Sequence, residues 1–574
     1  MGNLRNDAID AQTARRADAV HTGADLLIDT LVGLGAEKVF NITGLGMLGL
    51  ARALMTRRKE INCVSHLNET NLTMMAQGYA RQTGKPTFCI VYHASGTALA
   101  MMSVTTAWAD NIPMVIVSTT GSRTTSGRDQ YAATPRSLTE MSAQFTKWNY
   151  DITTPERIPE ILARAWEIAS TAPMGPVHIS IPSDLYDIEL SGPPPREDYA
   201  RMRTFDAPVA DELGLAETAR LLGEARRPVL LCGSEVGRLR AVDEMVALAE
   251  AVGAPVVSEQ DPSFMGFPTS HHQYVGTPAN NAAILAEADV AFAIGYEFTE
   301  KGVPDEKRML PSGTRLVTLS VDPMLTAKQL WPDVALHGHP KPSLARLVEI
   351  LKHTPVAEDA RARNREICAA PRQARQTAIE EADALPGDQS PVPQKKLIRE
   401  VYKQCGSDWI IVQAGSTLGW HVETMYDFDD PLNFHAVSGK GSAQGWGAPT
   451  AIGMQMGAED RRVLAFLGDG NLMFSATCMW SAAQQNLPVV FVVNNNQGWL
   501  CVPDAIDAVY DMSTGLQERN EMAWTWESAP VDFTQFAQSL GLEAKRVTTA
   551  DDLSACLKTA KASNRPWLIE VVGE

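Results

Sequence analysis

The sequence predicts an α/β protein with three doubly wound parallel-sheet domains. Helix-period and strand-period apolar patterns alternate along most of the chain, which is typical of parallel sheets with crossover helices. Two Pro-rich, charged stretches, residues 191–208 and 382–393, interrupt this alternation and are interpreted as linkers. The length of 574 residues provides for about three or four domains. The predicted domains are residues 1–190, 205–355 and 385–574.

The first block alternates helices and strands and ends at a Pro-Ser-Asp turn. Its predicted helices are Ala24–Gly35, a segment from Met47, Glu69–Gln82 and Ala98–Ala109, and its predicted strands are Lys38–Ile42, Ile61–His66, Thr87–Tyr92, Pro113–Thr119 and Pro176–Ile181. Ligands of open parallel sheets bind at the carboxyl ends of the strands. Polar residues that follow strands are therefore the first candidates for function.

The second and third blocks repeat this alternation, and a charged, Ala-rich segment predicted to be a helix separates them. The second block has predicted strands Pro228–Cys232, Pro255–Val257, Val290–Ile294 and Arg315–Ser320, and helix Val242–Val252. The third block has predicted strand Val463–Leu467, a GDGN turn, helix Phe474–Gln485, a Val/Phe-rich strand that ends in NNN, and a last strand Pro566–Val571.

The GDGN turn and the NNN run place polar side chains at the ends of two successive strands. Asp469 follows the first strand, and Asn496 closes the second one 27 residues later. A carboxylate, an amide oxygen and a backbone carbonyl are hard oxygen ligands that suit Mg²⁺, which takes its remaining ligands from water and phosphates. The flanking glycines allow backbone N–H groups to approach a diphosphate at the start of a helix.

GDG followed by NN at this spacing resembles the thiamin diphosphate fingerprint of the 2-oxo acid decarboxylase and acetolactate synthase superfamily. The resemblance covers nearly the whole chain and implies a pyrimidine-binding domain, a central domain and a diphosphate-binding domain. It implies thiamin diphosphate and Mg²⁺ as cofactors, with the metal held by Asp469, Asn496 and the carbonyl of Gly498. The diphosphate would lie against the residues of two strand-end turns, which are Gly415, Ser416, Thr417, Gly468, Gly470 and Asn471.

Glu69 follows the strand INCVSH and opens a predicted helix. An acidic residue in a first helical turn commonly complements the helix dipole and has no further role. The context E…GYAR…KP, however, is similar to the catalytic glutamate helix of the superfamily. The resemblance implies that Glu69 bonds N1′ of the aminopyrimidine and promotes its imino tautomer, which a raised carboxyl pKa in an apolar site would suit.

His93 lies at the carboxyl end of a predicted strand, in VYHASGT. A packed structural histidine is one interpretation. Members similar to benzoylformate decarboxylase place a histidine at the substrate here, so the resemblance implies that His93 exchanges a proton with the substrate oxyanion.

The stretch SGKGSAQGWGAPTAIG resembles the segment that wedges between the two rings of the cofactor. The carbonyl of Ser442 would then accept from the 4′-amino group. Gln444 stands where the superfamily usually has an aliphatic residue, and its amide requires a hydrogen-bond partner.

These features predict a lyase or carboligase that cleaves or forms a C–C bond next to a carbonyl. A 2-oxo acid decarboxylase or an acyloin or diketone lyase, of benzoylformate decarboxylase or benzaldehyde lyase type, is the leading interpretation, and an acetolactate synthase-like carboligase is the alternative. A dinucleotide-dependent dehydrogenase is a further alternative, because GLGMLG, from Gly44 to Gly49, matches GxGxxG and Glu69 lies 20 residues beyond it.

Composition limits the partners and the location. A formal net charge of −18 argues against nucleic acid, which needs clustered Lys and Arg. The eight scattered cysteines form no CxxC pair, the amino terminus is polar, and no apolar run reaches the ~18 residues of a membrane span. We therefore expect a cytoplasmic enzyme that acts on a small carbonyl substrate and has no membrane partner. The resemblance implies a homodimer or homotetramer with active sites shared between subunits.

Overall fold

A computed structural model describes residues 21–125, 128, 136–191, 207–299, 309–328, 330–356, 358–437, 440–458 and 460–574. They fall into two compact units. The first contains the described residues of 1–80 and 84–204, and the second contains 81–83 and the described residues from 205 onward. Three six-stranded sheets, all parallel, confirm the predicted fold class. Most of the linker predicted at residues 191–208 lies outside the described residues.

The first unit has one sheet, in which the strands lie in the order β2-β1-β3-β4-β6-β5. The strands are β1 Lys38–Asn41, β2 Asn62–Ser65, β3 Thr87–Tyr92, β4 Met114–Thr120, β5 Asn149–Asp151 and β6 Pro176–Pro182. The helices are Gly23–Gly33, Leu48–Thr56, Glu69–Thr83, His93–Ala109 and Ile158–Ser170. β3 and β4 are buried along almost their whole length, because helices cover both faces of a parallel sheet.

One boundary in this unit differs from the prediction. The helix expected from Ala98 begins five residues earlier, at His93, and directly follows β3. The pattern ASGT suggested a turn, but these residues lie within the helix, where Gly96 packs against the Glu69 side chain.

The second unit contains the other two sheets. The first of them has the order β12-β11-β10-β7-β8-β9. Its strands are β7 Pro228–Cys232, β8 Val256–Ser258, β9 Tyr274–Gly276, β10 Val290–Ile294, β11 Arg315–Ser320 and β12 Val334–His337, and its helices are Glu212–Glu224, Ser234–Arg238, Val242–Val252, Ala282–Ala286 and Pro340–Leu351. The Ala-rich segment forms helix Glu358–Ala384, as predicted.

The remaining sheet has the order β14-β13-β15-β16-β18-β17. Its strands are β13 Ile410–Ala414, β14 Phe434–Ala436, β15 Val463–Gly468, β16 Val490–Asn495, β17 Glu543–Val547 and β18 Trp567–Val572. Its helices are Gln394–Cys405, Ser416–Met425, Gly447–Gly457, Asp469–Met473, Met479–Gln484, Cys501–Tyr510, Leu516–Glu521, Phe533–Ser539 and Ala550–Ala562. The single helix expected at Phe474–Gln485 is wrong: Asp469, Gly470 and Asn471 of the GDGN turn lie in the short helix Asp469–Met473, and a second helix starts at Met479.

Register aligns the strand ends that carry the predicted polar residues. Gly468 of β15 pairs with Asn494 of β16, and Ala414 of β13 pairs with Leu467. The turns after β13, β15 and β16 therefore leave one edge of one sheet together. Within the described ranges, no helix combines the length and the apolar character needed to cross a bilayer.

Candidate cofactor-binding site

Asp469 is the buried acidic residue of the edge formed by β13, β15 and β16. Only 2% of its surface is exposed, and its carboxylate accepts from the N–H of Gly470 at 2.8 Å and from the N–H of Gly498 at 3.3 Å. Burial nevertheless outweighs these hydrogen bonds and raises the pKa of Asp469 to about 7. A buried carboxylate with this cost of ionisation is suited to a cation, which would compensate its charge.

The three asparagines after β16 have different positions. The Asn494 amide donates to the Glu574 carbonyl at 3.0 Å, and the Asn495 amide donates to the Glu570 carboxylate at 2.7 Å. Both therefore stabilise the sheet. Asn496 lies just beyond the strand, is half-buried, and lines the same cleft as Asp469. Asn495 thus has a purely structural position in the run NNN, whereas Asn494 and Asn496 both line the cleft.

A single open cleft collects most of the predicted cofactor-binding residues. Those that line it are Gly415, Thr417, Gln444, Gly468, Asp469, Gly470, Asn471, Asn496 and Gly498. Ser416 begins the helix that follows Gly415, whereas Ser442 does not line the cleft and has a positive φ of 38°.

Several lining residues were not predicted from the sequence: Leu418, Asn494, Trp499, Leu500 and Cys501. Trp499 and Trp526 lie against the backbone of the GDG turn, since a Cβ on Gly470 would meet their rings at 2.8 and 3.1 Å. The apolar residues directly after NNNQG could have predicted from the sequence that this segment forms a second wall of the cleft.

Gln444 has the hydrogen-bond partner that its position requires. Its amide oxygen accepts from the amide of Asn471 at 2.9 Å. The segment after β14 and the GDGN turn are therefore joined by a side-chain bond. The other amide atom of Asn471, Oδ1, is buried with no partner in the described structure, so it is available to a ligand.

In the first unit, Glu69 begins helix Glu69–Thr83, after the N-cap residue Asn68. Its carboxylate lies over Gly96, where a Cβ would approach Oε1 to 2.6 Å. Burial raises the pKa of Glu69 above its ordinary value. A carboxyl group of this kind retains a proton more readily than an exposed glutamate and can share it with a ring nitrogen.

His93 is held in an unusual conformation at the end of β3. It has a φ of 51°, is 6% exposed, and its ring contacts the Tyr92 ring edge-on with centroids 4.0 Å apart. Nδ1 has no hydrogen-bond partner among the described residues, and burial lowers the pKa of His93. The strained backbone and the unpaired nitrogen are typical of a functional residue.

Comparison with known proteins identifies the family. Three family models of thiamine pyrophosphate enzymes match the chain: the N-terminal TPP binding domain at residues 21–141, the central domain at 215–347, and the C-terminal TPP binding domain at 413–571. The chain belongs to the thiamine pyrophosphate enzymes.

Relatives of this thiamine pyrophosphate enzyme include proteins with two kinds of activity. The acetolactate synthase large subunit of Corynebacterium glutamicum is 28% identical over 96% of this chain and 87% of its own. The benzoylformate decarboxylase of Pseudomonas aeruginosa is also 28% identical, over 88% of this chain and 90% of its own. The solved thiamine diphosphate-dependent 4-hydroxybenzoylformate decarboxylase of Rhodococcus jostii shares the fold, with a TM-score of 0.81, 24% identity, and coverage of 96% of this chain and 99% of its own.

The residues of the cleft fit the cofactor of a thiamine pyrophosphate enzyme. Asp469, with its raised pKa, and Asn496 offer oxygen ligands at one place, and the orphaned Asn471 Oδ1 lies beside them in the wall of the cleft. The described part of the chain contains no group of three His, Cys, Asp or Glu side chains that would hold a metal alone. A cation here would therefore complete its coordination with phosphate oxygens and water.

The GLGMLG motif of this thiamine pyrophosphate enzyme has a packing explanation. A Cβ on Gly44 would lie 2.7 Å from the Tyr92 ring, one on Gly46 would lie 3.1 Å from His93 Nε2, and one on Gly49 would lie 2.3 Å from Asp187 Oδ1. The first two glycines thus make room for the side chains at the end of β3. The match to a dinucleotide-binding motif is wrong, and the dehydrogenase alternative has no support.

Proposed function

We propose that this enzyme is a lyase that acts on a small, non-phosphorylated carbonyl substrate, as a 2-oxo acid decarboxylase or an acyloin or diketone lyase. His93 carries the proposal: it is buried, strained and unpaired at Nδ1, and it adjoins the glycine turn of Gly44 and Gly46. The likeness to benzoylformate decarboxylase supports it.

Two proton-holding groups of the first unit have separate roles in this proposal. Thiamin diphosphate, when bound, supplies the carbon nucleophile that attacks the substrate carbonyl. Glu69 holds a proton at the aminopyrimidine, because burial raises its pKa. His93 is neutral at pH 7, because burial lowers its pKa, and a neutral imidazole has one N–H donor and one acceptor. His93 can therefore donate to the substrate oxygen and later accept a proton.

The diphosphate end has its own residues. We propose that Mg²⁺ is held by Asp469, Asn496 and the carbonyl of Gly498, and that Gly415, Ser416, Thr417 and the GDGN turn bind the diphosphate. Ser442 and Gln444 are proposed to contact the aminopyrimidine and the space between the two rings. We further propose a cytoplasmic homodimer or homotetramer in which the pyrimidine and diphosphate residues of one site come from different subunits.

An acetolactate synthase-like carboligase is the second candidate, because the match to acetolactate synthase extends over 96% of the chain. A product screen separates the two candidates. The protein, reconstituted with thiamin diphosphate and Mg²⁺, is incubated with benzoylformate, pyruvate, benzoin and a cyclic diketone. Aldehyde from benzoylformate, or cleavage of benzoin or the diketone, would support the lyase. Conversion of pyruvate to acetolactate, with no reaction of the other three, would refute it in favour of the carboligase.

A further inference from the structure

A chain of buried polar side chains runs behind His93 through the first unit. Thr97 Oγ1 bonds the His93 carbonyl at 2.7 Å and Ser118 Oγ at 2.7 Å. Ser118 Oγ bonds His178 Nε2 at 2.7 Å, and Ser142 Oγ bonds His178 Nδ1 at 2.7 Å. The four side chains are each no more than 1% exposed.

Burial excludes a nucleophilic role for this Ser-His arrangement, because a nucleophile must reach a substrate. The chain is instead a structural connection across two strands. Ser118 is in β4, and His178 is in the neighbouring strand β6. His178 pairs with Ile116, and Ser118 is two residues after Ile116, so Ser118 and His178 lie on the same face of the sheet. Thr97 is in the helix that begins with His93. The connection therefore ends on the residue whose φ is 51°.

Counting protons gives the chain a direction. Each hydroxyl has one proton, and neutral imidazole has one N–H. In one direction Ser142 donates to Nδ1, Nε2–H donates to Ser118, Ser118 donates to Thr97, and Thr97 donates to the His93 carbonyl, all at 2.7 Å.

In the reverse direction Thr97 donates to Ser118, Ser118 donates to Nε2, and Nδ1–H donates to Ser142. Ser142 would then donate to the Thr139 carbonyl at 3.2 Å, and Thr97 would have no proton left for the His93 carbonyl. The first direction makes the shorter terminal bond. Burial lowers the pKa of His178 to about 4, so the ring remains neutral at pH 7 and the count applies.

We propose that Ser142, His178, Ser118 and Thr97 form a directed hydrogen-bond chain, with His178 as the Nε2–H tautomer, which holds the His93 backbone in its strained conformation. His178 and Thr97 are then positioning residues for His93. This inference rests on the proposed function only in the consequence for turnover, since the tautomer and the position of His93 are measurable without substrate.

The tautomer is tested by NMR of the protein labelled with ¹⁵N at histidine. Protonated and unprotonated ring nitrogens resonate in separate regions, and the His178→Asn variant assigns the signals. We expect Nε2 of His178 to carry the proton at pH 7. A proton on Nδ1 would overturn the direction of the chain.

The positioning role is tested with Thr97→Val, which keeps the shape and removes the hydroxyl, and with Thr97→Ser, which keeps the hydroxyl. Thr30→Val is the matched control, because Thr30 is 2% exposed and makes the same bond to a carbonyl four residues earlier, at 2.8 Å, in helix Gly23–Gly33. We expect the His93 ring signals to shift in Thr97→Val, and to stay unchanged in Thr97→Ser and Thr30→Val. Unchanged His93 signals in Thr97→Val would refute the positioning role, whatever the activity.

Kinetics separate this inference from the proposed function. A displaced His93 should lower kcat by ~10- to 10²-fold in Thr97→Val, with recovery in Thr97→Ser, because small displacements of a reacting group are costly. Exchange of the cofactor C2 proton should remain at the wild-type rate. Normal turnover in Thr97→Val, combined with slow turnover in His93→Ala, would refute the inference. Normal turnover in His93→Ala would refute the proposed role of His93, and the NMR result would still decide the positioning role.

Discussion

Asp469 should destabilise the protein when the cofactor is absent, and replacing it with Asn should remove that cost. The folded pKa is about 7, and the ordinary value is 3.8. The folded state therefore binds more protons than the unfolded state between about pH 4 and 7. Since stability falls with rising pH wherever the folded state binds more protons, the penalty grows through this window.

The structure sets the size of the effect. Each pKa unit corresponds to about 1.4 kcal/mol. The loss of unfolding free energy caused by Asp469 grows with pH until the folded pKa of about 7 is reached. From pH 5 to that pKa it grows by about 3 kcal/mol. Asp469→Asn has no such dependence. We therefore compare the unfolding free energy of Asp469→Asn with that of wild type at each pH. The variant's advantage should be about 3 kcal/mol larger at pH 8 than at pH 5.

Urea unfolding of the cofactor-free protein at pH 5, 6, 7 and 8 measures this difference. Asp507→Asn is the control: its pKa is lowered by Thr514 and Arg519, so it is ionised in both states throughout the range, and its difference should not change with pH. Thiamin diphosphate and Mg²⁺ should reverse the order and stabilise only the wild type. A difference between Asp469→Asn and wild type that is the same at pH 5 and pH 8 would refute the reasoning.

Three further predictions concern Glu69, His93 and the assembly. Glu69→Gln should slow exchange of the cofactor C2 proton, whereas His93→Ala should leave that exchange unchanged and lower kcat by ~10²–10⁴-fold. NMR of acid-quenched samples measures the exchange, and steady-state kinetics measure kcat. Slow exchange in His93→Ala with normal exchange in Glu69→Gln would contradict the two assigned roles. Gly96→Ala should also slow C2 exchange, because its Cβ would lie 2.6 Å from Glu69 Oε1, whereas Gly313→Ala, which meets nothing within 4 Å, should not; equal rates in both variants would contradict the contact. Mixing inactive Glu69→Ala and Asp469→Ala proteins, with subunit exchange shown by mass spectrometry, should restore part of the activity, and no recovery would count against a shared site.

The sequence alone predicted the fold class and the cleft of the second unit. Alternating apolar periods indicate parallel sheets, because a buried strand and a crossover helix each need a characteristic pattern. GDG and NNNQG identified Asp469 and Asn496, because strand ends in such sheets meet at one edge. Pattern could also place Gly415, far earlier in the chain, since it follows a strand too.

Only the tertiary structure decided the roles of residues whose neighbours are distant in sequence. Asn494 donates to the Glu574 carbonyl and Asn495 to the Glu570 carboxylate of β18, although both look identical to Asn496 in the sequence. Glycines 44 and 46 resemble a dinucleotide motif until Tyr92 and His93 are seen to occupy the space of their missing side chains. The positive φ of His93 was also hidden, and so was the hydrogen-bond chain through His178, which depends on contacts across strands that no local pattern records.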